Sequence, residues 1–273
     1  MSARSAAVSQ PFGPNGAFFL TEEQLEALSR LLFVVENQRD FAVVCGPAGV
    51  GKTRLLEELQ RQSRAAGKFV IRIDAGGLDR RELPQALLAA CQTWSDSHSA
   101  WQTLEDVIAG RGLSGNGGVW IVDHVERAAE DLTVPLHRLL QLLGRRDVRG
   151  TAIIATNRPG QLAPLIDRAD WHIELHRWTA EDTAAAIERL QGHGSLPRFS
   201  SAAIREIAEA AEGCPATTLR LCELAVLAAE LHGAATIDAD LVREAGRQRT
   251  MPRTDHELWT AADEQPFATL WRD

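Results

Sequence analysis

Five short apolar runs punctuate the first two thirds of the chain: residues 41–45, 69–74, 119–123, 150–157 and 171–175. So few residues with so little polar interruption fit strands buried on both faces of a parallel sheet. Between the runs, apolar residues recur every three or four positions, the period of an amphipathic helix. Thr21-Glu22-Glu23-Gln24 reads as a capping box, opening a helix with Leu25, Leu28, Leu32 and Val35 on one face. Residues 53–60 place Leu55, Leu56 and Leu59 on one face. Further helices are expected over 79–93, 98–110, 136–143 and 161–167, with a turn at Ser114-Gly115-Asn116-Gly117-Gly118. Strands alternating with helices predict an α/β fold: a three-layer, five-stranded parallel sheet with helices on both faces.

After residue 177 the pattern changes to helix alone. Thr179-Ala180-Glu181-Asp182 caps a helix to about residue 191. Others follow over 199–212 and 216–231, and a last one is introduced by Ile237-Asp238 and ends near Gly246. The expected organisation is an arm (1–20), a P-loop domain (21–177), a small all-helical lid (178–249) and a polar tail (250–273). In the tail, Trp259, Phe267 and Trp271 favour a docking peptide.

The net charge of −8 offers no global attraction to nucleic acid or anionic membrane, although 29 Lys and Arg leave room for a local basic patch. Cys45, Cys91, Cys214 and Cys222 lack metal-ligand or CxxC spacing and sit in apolar surroundings, as reduced core residues do. No run approaches the length of a transmembrane helix, and the first residues lack the apolar core of a signal peptide. The expectation is a cytoplasmic protein with no integral membrane segment.

The chemistry concentrates at Gly46-Pro47-Ala48-Gly49-Val50-Gly51-Lys52-Thr53, the Gly-x-x-x-x-Gly-Lys-Thr pattern of a P-loop, with Arg54 next in line. Wrapping a polyphosphate in backbone N–H groups requires residues without a Cβ, and the helix that follows adds its own free N–H groups and dipole. Lys52 is placed for the β- and γ-phosphates and Thr53 for Mg²⁺. Only two lysines occur, Lys52 and Lys68, so a compact point charge is kept where it suits a phosphate.

Asp123 ends an apolar strand about 70 residues later, the Walker B shape, and is the expected second metal ligand. Glu, the usual water-polarising residue, does not follow it; His124 does, with Glu126 two residues on. Either His124 or Glu126 orients the attacking water, and Glu126 does so only if the loop curls. Asn157, at the end of the fourth strand, is the candidate for touching the γ-phosphate or its water.

With these residues in view, the chain resembles the AAA+ ATPases, and among them those around general secretion pathway protein A (ExeA-type). The resemblance covers about residues 11–247 and rests on Pro11-Phe12, Phe18-Phe19-Leu20, the P-loop, Val122-Asp123 and the stretch Glu212-Gly213-Cys214-Pro215-Ala216-Thr217-Thr218-Leu219-Arg220-Leu221-Cys222. It implies ATP and Mg²⁺ as ligands, side-to-side self-association, and an Arg finger for which Arg168 is the candidate. It departs from the family at His124 and at Ala216, where an Arg usually follows the lid Pro; Arg220 lies one turn on. The resemblance implies the ATPase module, with ATP hydrolysis driving conformational change on a protein partner, and does not itself imply the family's secretion role; secretion or envelope assembly is the first of three readings of the pathway. Two alternatives stand beside it: a DNA-associated ATPase of the transposition-regulator kind, which the acidic balance disfavours, and a nucleotide-gated scaffold with weak hydrolysis.

Overall fold

The computed structural model describes residues 19–95, 99–113, 117–191 and 196–247. The arm up to residue 18, with Pro11, Phe12 and Phe18 of the resemblance, residues 114–116 of the expected turn and the tail lie outside these.

Contacts divide the chain into two units. The larger holds a five-stranded parallel sheet in the order β2-β3-β4-β1-β5. Its strands are β1 (Phe41–Cys45), β2 (Val70–Asp74), β3 (Val119–Asp123), β4 (Thr151–Thr156) and β5 (Trp171–Glu174). The order explains the composition. The three central strands, β1, β3 and β4, are buried at every residue. The outer strands admit polar residues: Arg72 and Asp74 in β2, His172 and Glu174 in β5. In register, Cys45 lies beside both Thr156 and Glu174, and Asp74 beside Asp123, so the carboxyl ends of the strands are level.

The helices of this unit are α1 (Glu22–Glu36), α2 (Lys52–Ala65), α3 (Glu82–Ala90), α4 (Ala100–Leu113), α5 (Thr133–Leu143) and the single turn α6 (Ala163–Ile166). Helix α1 corrects the expected face: the buried residues are Gln24, Ala27, Leu28, Leu31, Val34 and Val35, while Leu25 is half exposed. Both lines keep a helical period and share Leu28 and Val35, but the buried stripe is rotated about the helix axis toward Gln24, Ala27, Leu31 and Val34, which leaves Leu25 and Leu32 at its margin. Helix α3 is shorter than the expected 79–93, whereas α5 begins three residues earlier than expected and takes Pro135 in its first turn. The core is centred on Trp120, which is fully buried, donates from Nε1 to Gly117 O (2.9 Å) and meets Phe69 edge to face. Burying an indole contributes about 3–5 kcal/mol by the cost of truncating it.

The second unit comprises the helices α7 (Ala180–Gln191), α8 (Ser201–Ala211), α9 (Pro215–His232) and α10 (Ala239–Arg247). Thr179 and Asp182 cap α7 reciprocally: Asp182 Oδ2 accepts from Thr179 N–H (2.9 Å), and Thr179 Oγ1 accepts from Asp182 N–H (3.0 Å). Ser200 caps α8 by accepting from Ala203 N–H. The unit is not wholly helical, as the sequence suggested. Short strands β6 (Arg198–Phe199) and β7 (Thr236–Ile237) pair in parallel. Two-residue strands carry no readable periodicity, which is why the pattern hid them.

Candidate nucleotide site

Strand β1 delivers the P-loop and α2 receives it. Gly46 takes φ 148°, and a Cβ there would stand 2.4 Å from Leu175 O. Only glycine fits a left-handed backbone pressed on a carbonyl. Lys52 curls back over the loop and donates from Nζ to Gly46 O (2.7 Å) and Pro47 O (2.9 Å). Burial pushes its ammonium below the ordinary lysine range, and the carboxylates of Glu126 and Asp123 pull it partly back. A desolvated ammonium beside two carboxylates and flexible carbonyls is poised to exchange those carbonyls for phosphate oxygens.

Asp123 is buried, and its Oδ1 accepts from His124 N–H (2.9 Å). Arg72 approaches its other oxygen at 4.0 Å. His124 occupies the left-handed region at φ 54°. That turn carries the imidazole to the first turn of α2: Nε2 is 3.3 Å from Thr53 Oγ1, and Nδ1 is 3.1 Å from Asp74 Oδ2. The Asp74 approach is off the N–H axis and so is an ion-pair distance without a hydrogen bond.

The loop after His124 does curl. In the 3₁₀ turn Val125–Arg127, the Glu126 side chain is 5% exposed, and its Oε2 accepts from Asn157 N–H at 3.3 Å. Glu126 is thus a buried carboxylate near Lys52, bound to the end of the adjacent strand β4. The Asn157 side-chain oxygen is buried and makes no hydrogen bond.

Arg168 lies elsewhere. It precedes β5, next to Asp170, whose N–H donates to Phe41 O at the start of β1, and its guanidinium bonds His137 of α5. Arg54 pairs with Glu57 at 3.0 Å along α2.

In the second unit, to which Ala48–Gly51 belong by their contacts, Gly49 O accepts from Ala216 N–H (3.3 Å) in the first turn of α9. A Cβ on Gly49 would stand 2.7 Å from Cys214 Sγ. Arg220 pairs with Glu223 at 2.8 Å and leaves this region to the backbone of Ala216. Burial pushes the thiols of Cys45 and Cys222 up to about 12, which makes them inert.

The donor set fits Mg²⁺. Thr53 Oγ1 and the Asp123 carboxylate are hard oxygens of the kind that, with phosphate and water, hold the ion at P-loops. Among the described residues no group of three or more His, Cys, Asp or Glu forms a metal site of its own. Sequence reasoning missed Asp74, although its strand ends in an acid as that of Asp123 does.

A family model for the AAA ATPase domain matches residues 17–204. No curated protein matches the chain. Among solved structures, the chain is similar to Drosophila ORC bound to DNA, with a TM-score of 0.73 and 14% identity over 88% of this chain and 64% of that one. It thus spans less than two thirds of the ORC chain. Cdc6p of Pyrobaculum aerophilum matches with a TM-score of 0.71 and 15% identity, over 88% of this chain and 70% of that one. The RuvB Holliday junction branch migration motor of Thermotoga maritima matches with a TM-score of 0.62 and 20% identity, over 88% of this chain and 73% of that one. The five-stranded parallel sheet with its helical carboxyl-terminal region is the AAA+ P-loop NTPase fold, and the chain belongs to the AAA ATPase domain family.

Proposed function

We propose that this protein binds and hydrolyses ATP with Mg²⁺ and passes the resulting conformational change to a protein partner. The observation that carries this reading is the buried Lys52 ammonium, curled on the carbonyls of its own loop beside Asp123 and Glu126. Lys52 and the loop N–H groups of residues 46–54 hold the phosphates. Thr53 and Asp123 hold Mg²⁺, which supplies charge neutralisation between the phosphate oxygens.

Glu126 takes the water-orienting role left vacant by His124. Its carboxylate is desolvated, fixed by Asn157 N–H and close to Lys52. His124 instead positions the Thr53 hydroxyl from the metal side. The Asn157 side-chain oxygen, buried and unsatisfied, is the group left to meet the water or γ-phosphate. Arg168 faces away from its own chain's site, so a finger role for it requires a second copy.

The first reading of the pathway sets the protein partner in secretion or envelope assembly, and it draws on the ExeA-type resemblance of the ATPase module alone. A second reading, a DNA-associated ATPase, draws on the DNA-bound ORC and the branch migration motor. Oligonucleotide binding by the full chain that weakens steeply with salt would favour it. The central reading is tested by steady-state Mg²⁺-ATP hydrolysis over a range of protein concentrations. Turnover whose specific rate rises with concentration is expected. ATP binding without turnover at any concentration would replace the ATPase with a nucleotide-gated scaffold, and absence of binding would end both.

A further inference from the structure

The sheet has a second edge, at the amino-terminal ends of its strands, and its charge opposes that of the whole chain. Three helices end there. Arg64, in the last turn of α2, donates from Nη2 to Val70 O (3.1 Å). Arg111, in the last turn of α4, lies 3.9 Å from the centroid of the Phe69 ring. A Cβ on Gly112 would meet Asp147 O at 2.5 Å, so the end of α4 touches the connector that follows α5. That connector holds Arg145, Arg146 and Arg149, and Lys68 precedes β2. Six cations therefore share the edge with two carboxylates, Asp147 and Glu105, both held by Arg145 at 3.2 and 2.9 Å. Six positive charges against two negative leave a formal +4 on a chain of −8. Arg39 and Asp40, before β1, cancel, and Asp170, before β5, whose carboxylate accepts from Asp40 N–H (3.0 Å), lowers the sum over the whole edge to +3.

Helix dipoles account for one cation at each helix end: Arg64, Arg111 and Arg145. Lys68, Arg146 and Arg149 exceed that need, and none of them has an ion pair among the described residues. Arg149 stands at φ 55°, where an arginine costs more than a glycine. Leu113, 89% exposed, borders the same edge. Surplus like charge repels itself and attracts an acidic ligand.

We propose that this edge is the docking surface for the chain's own carboxyl-terminal segment, residues 251–273. That segment sets Asp255, Glu257, Asp263, Glu264 and Asp273 against Arg253 and Arg272, and spaces Trp259, Phe267 and Trp271 among them. Guanidinium groups pair with carboxylates and stack on indole faces, and Leu113 and the Phe69 ring add apolar contact. About 20 extended residues span about 70 Å. The groove of about 470 Å³ beside Trp94 presents Glu82 and no cation, so it does not complement an acidic segment. The proposal stands independently of the nucleotide reading.

The test uses the full chain with the photo-reactive benzoylphenylalanine in place of Phe267. Crosslinks are expected to map to residues 64–70, 105–113 and 145–150. The pair Arg146→Glu and Arg149→Glu, at exposed positions, should cut the yield by about fivefold or more. Adding Asp263→Arg and Glu264→Arg to that pair should restore it, a rescue that a merely unfolded variant cannot give. Crosslinks mapping to the Trp94 groove or elsewhere, or a yield unmoved by the reversal, overturn the proposal. A labelled DNA oligonucleotide that binds the full chain and is lost on the same reversal, with no crosslink at the edge, overturns it in favour of nucleic acid.

Discussion

The two edges of the one sheet hold charge in opposite ways. At the carboxyl-terminal edge, Lys52, Asp123 and the Glu126 side chain are buried. At the amino-terminal edge, Arg146 and Arg149 stand in solvent. A buried charge costs several kcal/mol unless neighbours compensate it, so the first arrangement is tightly constrained and its members cannot be exchanged singly. Exposed charges cost little each, and only their sum has meaning. Burial, more than residue type, separates the chemistry from the electrostatic surface.

Substitutions at the two edges should therefore differ sharply. The largest effect is expected from Lys52→Ala, which leaves two buried carboxylates facing the loop without their cation. ATP affinity should fall about 100-fold or more, measured by calorimetry on protein whose circular dichroism is unchanged. Unaltered affinity in a folded variant would remove the phosphate role of this edge. Glu126→Gln keeps an oxygen for Asn157 N–H but loses the base. Turnover should drop about 10²–10³-fold while ATP affinity stays within about threefold. A turnover unchanged by Glu126→Gln but abolished by His124→Ala would transfer the water-orienting role to the imidazole.

Gly46→Ala should act through stability. The added Cβ meets Leu175 O at a positive φ, and urea unfolding should show a loss of about 2–3 kcal/mol. The smallest effect belongs to the opposite edge: Arg146→Glu with Arg149→Glu should leave ATP affinity within about twofold and stability within about 0.5 kcal/mol. A large loss of nucleotide binding there would show that the two edges are coupled.

Strand positions in the sheet unit could be read almost residue by residue, because short apolar runs bounded by turn residues have few other interpretations. Val119–Asp123 and Phe41–Cys45 coincide with their expected bounds. Helix ends were less readable: α3 and α5 differ from their expected bounds by several residues, as fraying ends allow. The P-loop pattern carries its own chemistry in its spacing. Glu126 does not. Its inward orientation depends on the left-handed turn at His124 and on the neighbouring strand being β4, and neither is encoded in local periodicity. Asp74 was hidden for the same reason, since its place beside Asp123 is a matter of strand pairing.

The short parallel ladder of the second unit has a mechanical consequence. It ties Arg198 and Phe199 to Thr236 and Ile237, with Ser200 N–H donating to Ile237 O at 2.9 Å, and so brackets the whole of α8 and α9 between its strands. A protease nick between those helices, at Glu212–Cys214, would create two new ends without releasing either piece. The clipped chain should co-elute as one particle and fall apart only in denaturant.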